Sequence, residues 1–431
     1  MLVPATHAMD RPYRLVAGGP AGGTVSSAHF GSMIGDGNII CVDVGGTSCD
    51  ISVVLNGEPW VSSTFELEYD LEVNALSVDI ITLGAGGGSM VSMTPSGDIK
   101  VGPESAGASP GPACYGKGGV SPATTDTALL MGIIDPNGFA GGAMKLDPAL
   151  SLKAFEHLDT HMSIEQRVSY AWRIALNNVA EGIFNSAIRR GIDPRDFSLM
   201  AFGAAGPMML PSMLDLVPLR RVIVPPHPGL FSALGLLSSD QVFTEEHSVS
   251  CDLTEAGMAV IEQTFAALEA TLRKRVADAG GDVRFERSFD GRLQGQGWET
   301  PFVPAPNLVT AESVESLVTA FHDVYELRNG NRFPYLPVEV LTLRVNAIVP
   351  ATKVDYPPVG TTPEGDTPTG RKVPIRYLYG DDVEAIEYDR SLLRAGHRVP
   401  GPAIVREAMS TTFIPAGHEA VVGTYGELVI E

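Results

Sequence analysis

Apolar residues recur at three- and four-residue spacing in two long stretches. Val168, Trp172, Ala175, Val179, Ile183 and Ala187 line up as the buried face of one helix. Ser163 and Gln166 ahead of them make a capping box, Arg189 and Arg190 fill a last turn, and Gly191 follows as a stop. Met258, Ile261, Phe265, Leu268, Leu272 and Val276 predict a second long helix, closed by Gly280. A shorter helix is expected around Thr24–Met33, after the glycine-rich "GGPAGG" at Gly18–Gly23.

Elsewhere the pattern is that of strands broken by glycine. "NIICVDVGGTSCDISVVLNGEPW" has β-branched residues on both arms and reads as a β-hairpin, with "GEPW" as a second turn. "SVDIITLGAGGGSM" runs an apolar strand into a glycine loop. Gly102–Gly119 is too rich in Gly and Pro for a helix or a central strand and is expected to form an ordered loop or exposed flap. "FSLMAFGAAGPMML" reads as strand, glycine turn, helix, and "RVIVPP" as one more strand. A boundary is expected near residues 240–255, giving domains of 1–245 and 246–431. Past the second long helix the chain turns strand-rich, in "VRFERSFDGRL", "EVLTLRVNAIV", "VPIRYLY", "PAIVRE" and "EAVVGTYGELVIE", interrupted by a linker-like Pro357–Arg371.

A chain of 431 residues is long enough for two or three domains. Its net charge of -21 argues against a nucleic-acid surface and against binding to anionic membranes. No apolar run approaches the ~18 residues of a membrane-spanning helix. The opening "MLVPATHAMDRPYRL" does not read as a signal peptide. The four cysteines form no CxxC pair, which leaves zinc ribbons and thioredoxin-like motifs unsupported and makes reduced, cytoplasmic thiols the default.

Three glycine turns carry candidate chemistry. A phosphate must touch backbone, and successive N–H groups form an anion nest where no side chain intrudes. In "DVGGTSCD", Gly45 and Gly46 would make the turn, Thr47 and Ser48 would add hydroxyl donors, and Asp50 closes it. Asp43 could hold magnesium through water, since this ion prefers oxygen ligands and keeps several waters. Taken alone, GGTS reads first as a plain hairpin turn; its companions raise phosphate holding to the leading reading. In "AFGAAGPMM", Gly203, Ala204, Ala205 and Gly206 open a helix after a strand, suiting either an adenosine or phosphate lying on backbone or tight helix–strand packing. Gly86, Gly87 and Gly88 are costly to order, which admits a flexible substrate loop.

Neither GxxxxGK[ST] nor a correctly spaced GxGxxG is present, nor is a GxSxG elbow. Asp126 follows the glycine-rich loop and is a candidate catalytic carboxylate, or a solvated or capping one; Glu104 is similar. Cys49 has no neighbouring base in sequence and reads as an inert thiol. His157 and His161 read as surface histidines rather than metal ligands.

Together "GGPAGG", "DVGGTSCDISVV", "DIITLGAGGGSM", "VGPESAGASPGPACYGKGG", "RRGIDPRDFSLMAFGAAGPM", "PGLFSALGLLSSD", "GQGWE" and "GPAIVREAMSTTFIPAG" resemble the hydantoinase A/5-oxoprolinase family, over nearly the whole chain. The resemblance implies an α/β fold: part of an actin-like ATPase module with ribonuclease-H-like halves, followed by a strand-rich α+β C-terminal domain. It implies ATP with magnesium, "DVGGTSCD" as the second phosphate loop and "GAAGPM" as the adenosine loop. It further implies activation of a carbonyl by phosphorylation, so that a cyclic amide is hydrolysed or a ketone carboxylated, with a hydantoinase B-type partner subunit. Phosphoryl transfer of this kind is mostly positioning and metal electrostatics.

Three departures qualify it. The family's N-terminal domain, with its own DxGGT-type first phosphate loop, is missing from this chain by that comparison. Ala204 and Met209 stand where the family has glycine and histidine. "FHDVYELRNG" departs from the family's tyrosine-glycine after a histidine-bearing helix.

Overall fold

The computed structural model describes Met9 and residues 18–66, 72–277, 282–363, 366–378 and 381–431. They form two compact units. The smaller takes in Val61–Ser77 and Leu236–Val354; the larger takes in Gly19–Trp60, Val78–Gly235 and Asp355–Glu431. The chain is thus divided differently from the single cut expected near residue 245, because everything after Val354 returns to the larger unit.

Strand pairing explains the return. The larger unit is built on a nine-stranded sheet. Its strands are β1 (Ile39–Val44), β2 (Cys49–Leu55), β3 (Glu58–Pro59), β4 (Ile81–Leu83), β5 (Ser198–Phe202), β6 (Arg221–Val224), β7 (Arg398–Pro400), β8 (Glu419–Val422) and β9 (Leu428–Ile430). The order is β7-β8-β9-β6-β5-β1-β2-β3, with β4 also paired to β2. β1, β5 and β6 run parallel. β2 is antiparallel to β1, and β9 is antiparallel to β6. The linker-like Pro357–Arg371 is tied into this unit where it is described: the Val359 N–H donates to the Thr424 carbonyl at 2.9 Å.

Alternation along β1 sends successive side chains to opposite faces. Ile40, Val42 and Val44 pack with Ile51 and Val53 of β2 in a core that includes Trp172, Val179 and Ile183 of helix α3 (Ile164–Arg190). The expected capping box at Ser163 and Gln166 is formed, and Gly191 closes the helix in the left-handed conformation. Ile39 and Cys41 share the other core with Phe30 of α1 (Gly18–Ile34) and Phe231 of α4 (Phe231–Ser238). The sheet is therefore covered on both sides, as parallel strands require.

Two local outcomes differ from the sequence pattern. Helix α1 begins at Gly18, so "GGPAGG" is helical rather than a loop before the helix. Packing overrides the low helix propensity of glycine here: a β-carbon on Gly23 would strike the Phe202 ring. The second turn is also displaced from "GEPW". It lies at Asn56 and Gly57, both with positive φ (53° and 86°), the type I′ signature of a tight hairpin, and Glu58–Pro59 already forms β3.

The smaller unit is an antiparallel sheet in the order Gln241–Asp252, Val338–Val349, Arg284–Leu293, Thr300–Ala305. Helices α5 (Glu255–Arg275) and α6 (Val314–Asn329) share its core. The expected stripe from Met258 to Val276 is buried along its length. Its expected stop at Gly280 lies outside the described residues. Among the described residues, no helix is long and apolar enough to cross a membrane.

Candidate functional site

The first two glycine turns sit at the carboxyl ends of adjacent parallel strands. β1 ends at Val44 and β5 at Phe202, with Asp43 level with Phe202 in the register. In open sheets of this kind, ligands bind beyond the carboxyl ends of the strands. The opposite, amino ends are pinned instead: Asp36 is buried and takes hydrogen bonds from Ser198, Arg220 and Arg221. Burial alone would raise the Asp36 pKa, but these bonds hold it below the usual carboxylate value.

Residues 45–48 connect β1 to β2, closed by a 2.9 Å hydrogen bond from the Gly45 N–H to the Ser48 carbonyl. The N–H groups of Gly46, Thr47 and Ser48 meet no acceptor among the described residues. Gly46 and Thr47 are exposed, and a β-carbon built on Gly46 would meet nothing within 4 Å. Three successive free donors over open space form an anion nest.

The third glycine turn has a different part. Gly87 donates to the Gly45 carbonyl at 3.0 Å and Gly88 to the Gly46 carbonyl at 2.6 Å. Gly86 donates to Ser89 Oγ at 2.9 Å. All three N–H groups expected to face a ligand are thus taken by the protein. The run needs glycine because it lies against the first turn: a β-carbon on Gly86 would sit 2.8 Å from the Gly45 carbonyl, and one on Gly88 2.8 Å from that of Gly46. It is a brace for the first turn. The Gly102–Gly119 segment joins it, with the Ala106 N–H on the Gly88 carbonyl at 2.9 Å and Ser105 Oγ 3.5 Å from Thr47 Oγ1.

Beyond β5, Gly203 donates to the Pro228 carbonyl at 3.0 Å and Ala205 to the Val44 carbonyl at 2.9 Å. Gly203 has φ of 84°, and a β-carbon there would collide with Asp43 Oδ1. Glycine at 203 therefore serves both the turn and the approach to Asp43. Ala204 is exposed, whereas Ala205 and Gly206 are buried in the helix–strand contact. Both readings open for this loop on sequence are met in part, by different residues.

Asp43 and Asp50 stand opposite each other across the hairpin, on one face of the sheet. Ser232 donates to Asp43 Oδ2 at 3.0 Å, and Thr82 to Asp50 Oδ1 at 2.5 Å. Burial pushes both carboxyls above their usual pKa; the two hydroxyls oppose this, and the charge of Asp50 raises Asp43 further. Neither hydroxyl was singled out from sequence, although Ser232 lies in "PGLFSALGLLSSD" and Thr82 just ahead of the glycine run. Cys49, at the same turn, is fully buried, and its thiol is pushed up by burial and by the two aspartates, as suits an inert thiol.

Asp126 is enclosed. Its carboxylate accepts hydrogen bonds from the N–H groups of Ala113 (3.1 Å), Cys114 (2.8 Å) and Ala123 (2.8 Å) and from Ser151 Oγ (2.6 Å). Four donors fill a carboxylate's lone-pair sites, which is the arrangement of a cap and loop anchor rather than of a general base. It stands at the start of α2 (Thr124–Leu130), beside Thr125, which binds the Gly87 carbonyl. Glu104 is exposed and paired with Lys100 at 3.3 Å. His157 and His161 are exposed, and no cluster of three or more metal-ligating side chains occurs among the described residues.

The sequence pattern of hydantoinase/oxoprolinase matches residues 1–245, and that of the hydantoinase/oxoprolinase C-terminal domain matches residues 251–428. An uncharacterized protein of Methanocaldococcus jannaschii is 30% identical, over 99% of this chain and 63% of its own length. The acetophenone carboxylase gamma subunit of Aromatoleum aromaticum is 30% identical, over 97% of this chain and 59% of its own. The crystal structure of ATP-dependent caprolactamase from Pseudomonas jessenii matches with a TM-score of 0.81 and 26% identity, covering 95% of this chain and 61% of that one. The chain spans about three-fifths of the length of the curated relatives it matches.

Proposed function

The chain belongs to the hydantoinase/oxoprolinase family, and from that premise we propose that its larger unit binds ATP with magnesium and serves an ATP-dependent hydrolase of cyclic amides. The observation that carries this is the Gly45–Ser48 turn: three free N–H donors over open space, between two half-buried carboxylates. An antiparallel β3-β2-β1 followed by parallel β5 and β6 supports a ribonuclease-H-like half of an actin-like clasp.

In this reading the N–H groups of residues 46–48, with the hydroxyls of Thr47 and Ser48, hold phosphate oxygens. Asp43, steadied by Ser232, holds magnesium through water, and Asp50 lends its charge from across the hairpin. The exposed backbone at Ala204 takes the adenosine side. Bound ATP would supply the phosphoryl group that makes an amide carbonyl reactive toward water. The residues of this chain contribute position and charge, and Asp126 has no part in the chemistry. The reading includes a B-type partner subunit and an N-terminal domain with a second DxGGT-type loop.

Calorimetry with magnesium-ATP tests it, using the chain alone and with such an N-terminal domain supplied. Binding that Gly46→Val abolishes is expected; no binding in either sample would falsify the proposal. A ketone carboxylase subunit is the second reading, favoured by the 30% identity to the acetophenone carboxylase gamma subunit. ATP turnover that requires a ketone and bicarbonate, and ignores lactams, would select it.

A further inference from the structure

His322 lies on α6 in the smaller unit, with 2% of its surface exposed. Neither ring nitrogen has a hydrogen-bond partner. Nearby, the Gln296 Nε2 donates to the Tyr325 hydroxyl at 2.7 Å, while the Gln296 Oε1 is buried and unpartnered. Tyr325 follows His322 by three residues, so the two share a side of the helix. The Phe321 ring stands 5.4 Å from that of His322 and 5.8 Å from that of Tyr325, and Phe333 is 6.1 Å from Tyr325. Buried polar groups are normally satisfied, and three open positions in one cluster call for an occupant.

We infer that His322, Gln296 and Tyr325 form a binding site for a small uncharged molecule bearing an amide group. Burial keeps the imidazole neutral, and nearby Arg332 acts in the same direction. The ring therefore offers one N–H donor and one bare nitrogen acceptor. The Gln296 amide oxygen adds an acceptor. An amide matches this set, since its carbonyl takes the imidazole N–H and its own N–H meets an acceptor. An anion would face the Gln296 oxygen with no cationic ring to offset it. A cation would face the imidazole donor and Arg332. The aromatic rings supply apolar walls for methylene groups, as ligand sites usually do. Access runs through residues 294–298, where Gln294, Gly295, Gly297 and Trp298 are exposed. The choice of a cyclic amide among amides rests on the activity proposed above; the site itself does not.

The test uses the full chain labelled with ¹⁵N-histidine and titrated with 2-pyrrolidinone. A saturable shift of the His322 ring signals is expected, with affinity at least tenfold weaker in His322→Phe, which keeps the ring's bulk but removes both nitrogens. Should that variant fold poorly by circular dichroism, Gln296→Leu supplies the same comparison. Absence of a saturable His322 shift, or unchanged affinity in the folded variant, overturns the inference and leaves a cluster that holds water only. Magnesium-ATP affinity is measured on the same samples. Lactam binding without ATP binding sinks the ATP reading alone, and ATP binding without lactam binding sinks this inference alone.

Discussion

Gly88 donates its backbone N–H to the carbonyl of Gly46 at 2.6 Å. This bond, with its neighbour from Gly87 to Gly45, occupies the carbonyls of the first turn and leaves its N–H groups pointing elsewhere. The two glycines should respond to substitution in opposite ways. Gly88→Ala puts a methyl against the Gly46 carbonyl and Ser105 Oγ, and overpacking of this kind costs about 1–3 kcal/mol. Gly46→Val meets open space and should shift stability by no more than about 0.5 kcal/mol, as exposed sites do. Thermal melts beside magnesium-ATP calorimetry read both: Gly88→Ala should lower the melting temperature, and Gly46→Val should lose the nucleotide at an unchanged melting temperature.

Asp43 should be a liability to the empty fold. Its carboxyl is raised above its usual value chiefly by burial, so the ionised form disfavours folding. The penalty is absent below the unfolded pKa near 3.8 and grows as pH rises through the higher folded pKa. Asp43→Asn keeps an acceptor for Ser232 and should melt higher than the parent at pH 7, with the gap closing toward pH 4. An equal gap at both pH values would contradict this account. Magnesium-ATP affinity should fall in the same variant.

Asp126→Ala should be the most damaging of these substitutions. It strands three N–H groups and a serine hydroxyl in a buried place, at about 1–3 kcal/mol for each donor left unsatisfied. Urea unfolding should register a loss above about 3 kcal/mol, or no folded protein at all. Asp126→Asn retains part of the network and should lose less. A stable Asp126→Ala protein that had lost only turnover would restore Asp126 as a catalytic candidate.

Acid should loosen the amino ends of the parallel strands. Asp36 has a folded pKa below its usual 3.8, because Ser198, Arg221 and Arg220 outweigh its burial. Its contribution is complete above pH 3.8 and is lost as pH falls through the lower folded value. Asp36→Asn should lower the melting temperature at pH 7 and flatten its pH dependence below pH 4. A parallel decline of parent and variant in acid would assign that decline to other carboxylates.

The helices, the hairpin and the phosphate turn were legible because each is encoded within a short window. Apolar spacing marks α3 and α5, Ser163 and Gln166 mark a cap, and paired β-branched runs flank Gly45 and Gly46. Sequence could not say which glycine loop faces ligand and which faces protein. That depends on the approach of Gly86–Gly88 to a turn some forty residues earlier, which has no local signature. The role of Asp126 was ambiguous for the same reason, since two of its donors, Ala113 and Cys114, come from the preceding loop. Ser232 and Thr82 were passed over because a lone hydroxyl carries no pattern until a carboxylate is set beside it.

The pairing of β6 with β9 has a consequence for how the protein is made. Val222–Val224 find their partners in Leu428–Ile430, after the intervening segment that builds most of the smaller unit has been synthesised. During translation β6 waits with a bare edge, a standing template for pairing with another nascent chain. A fragment cut at Val354 would carry that edge permanently, and its solubility would depend on a chaperone rather than on its own sheet.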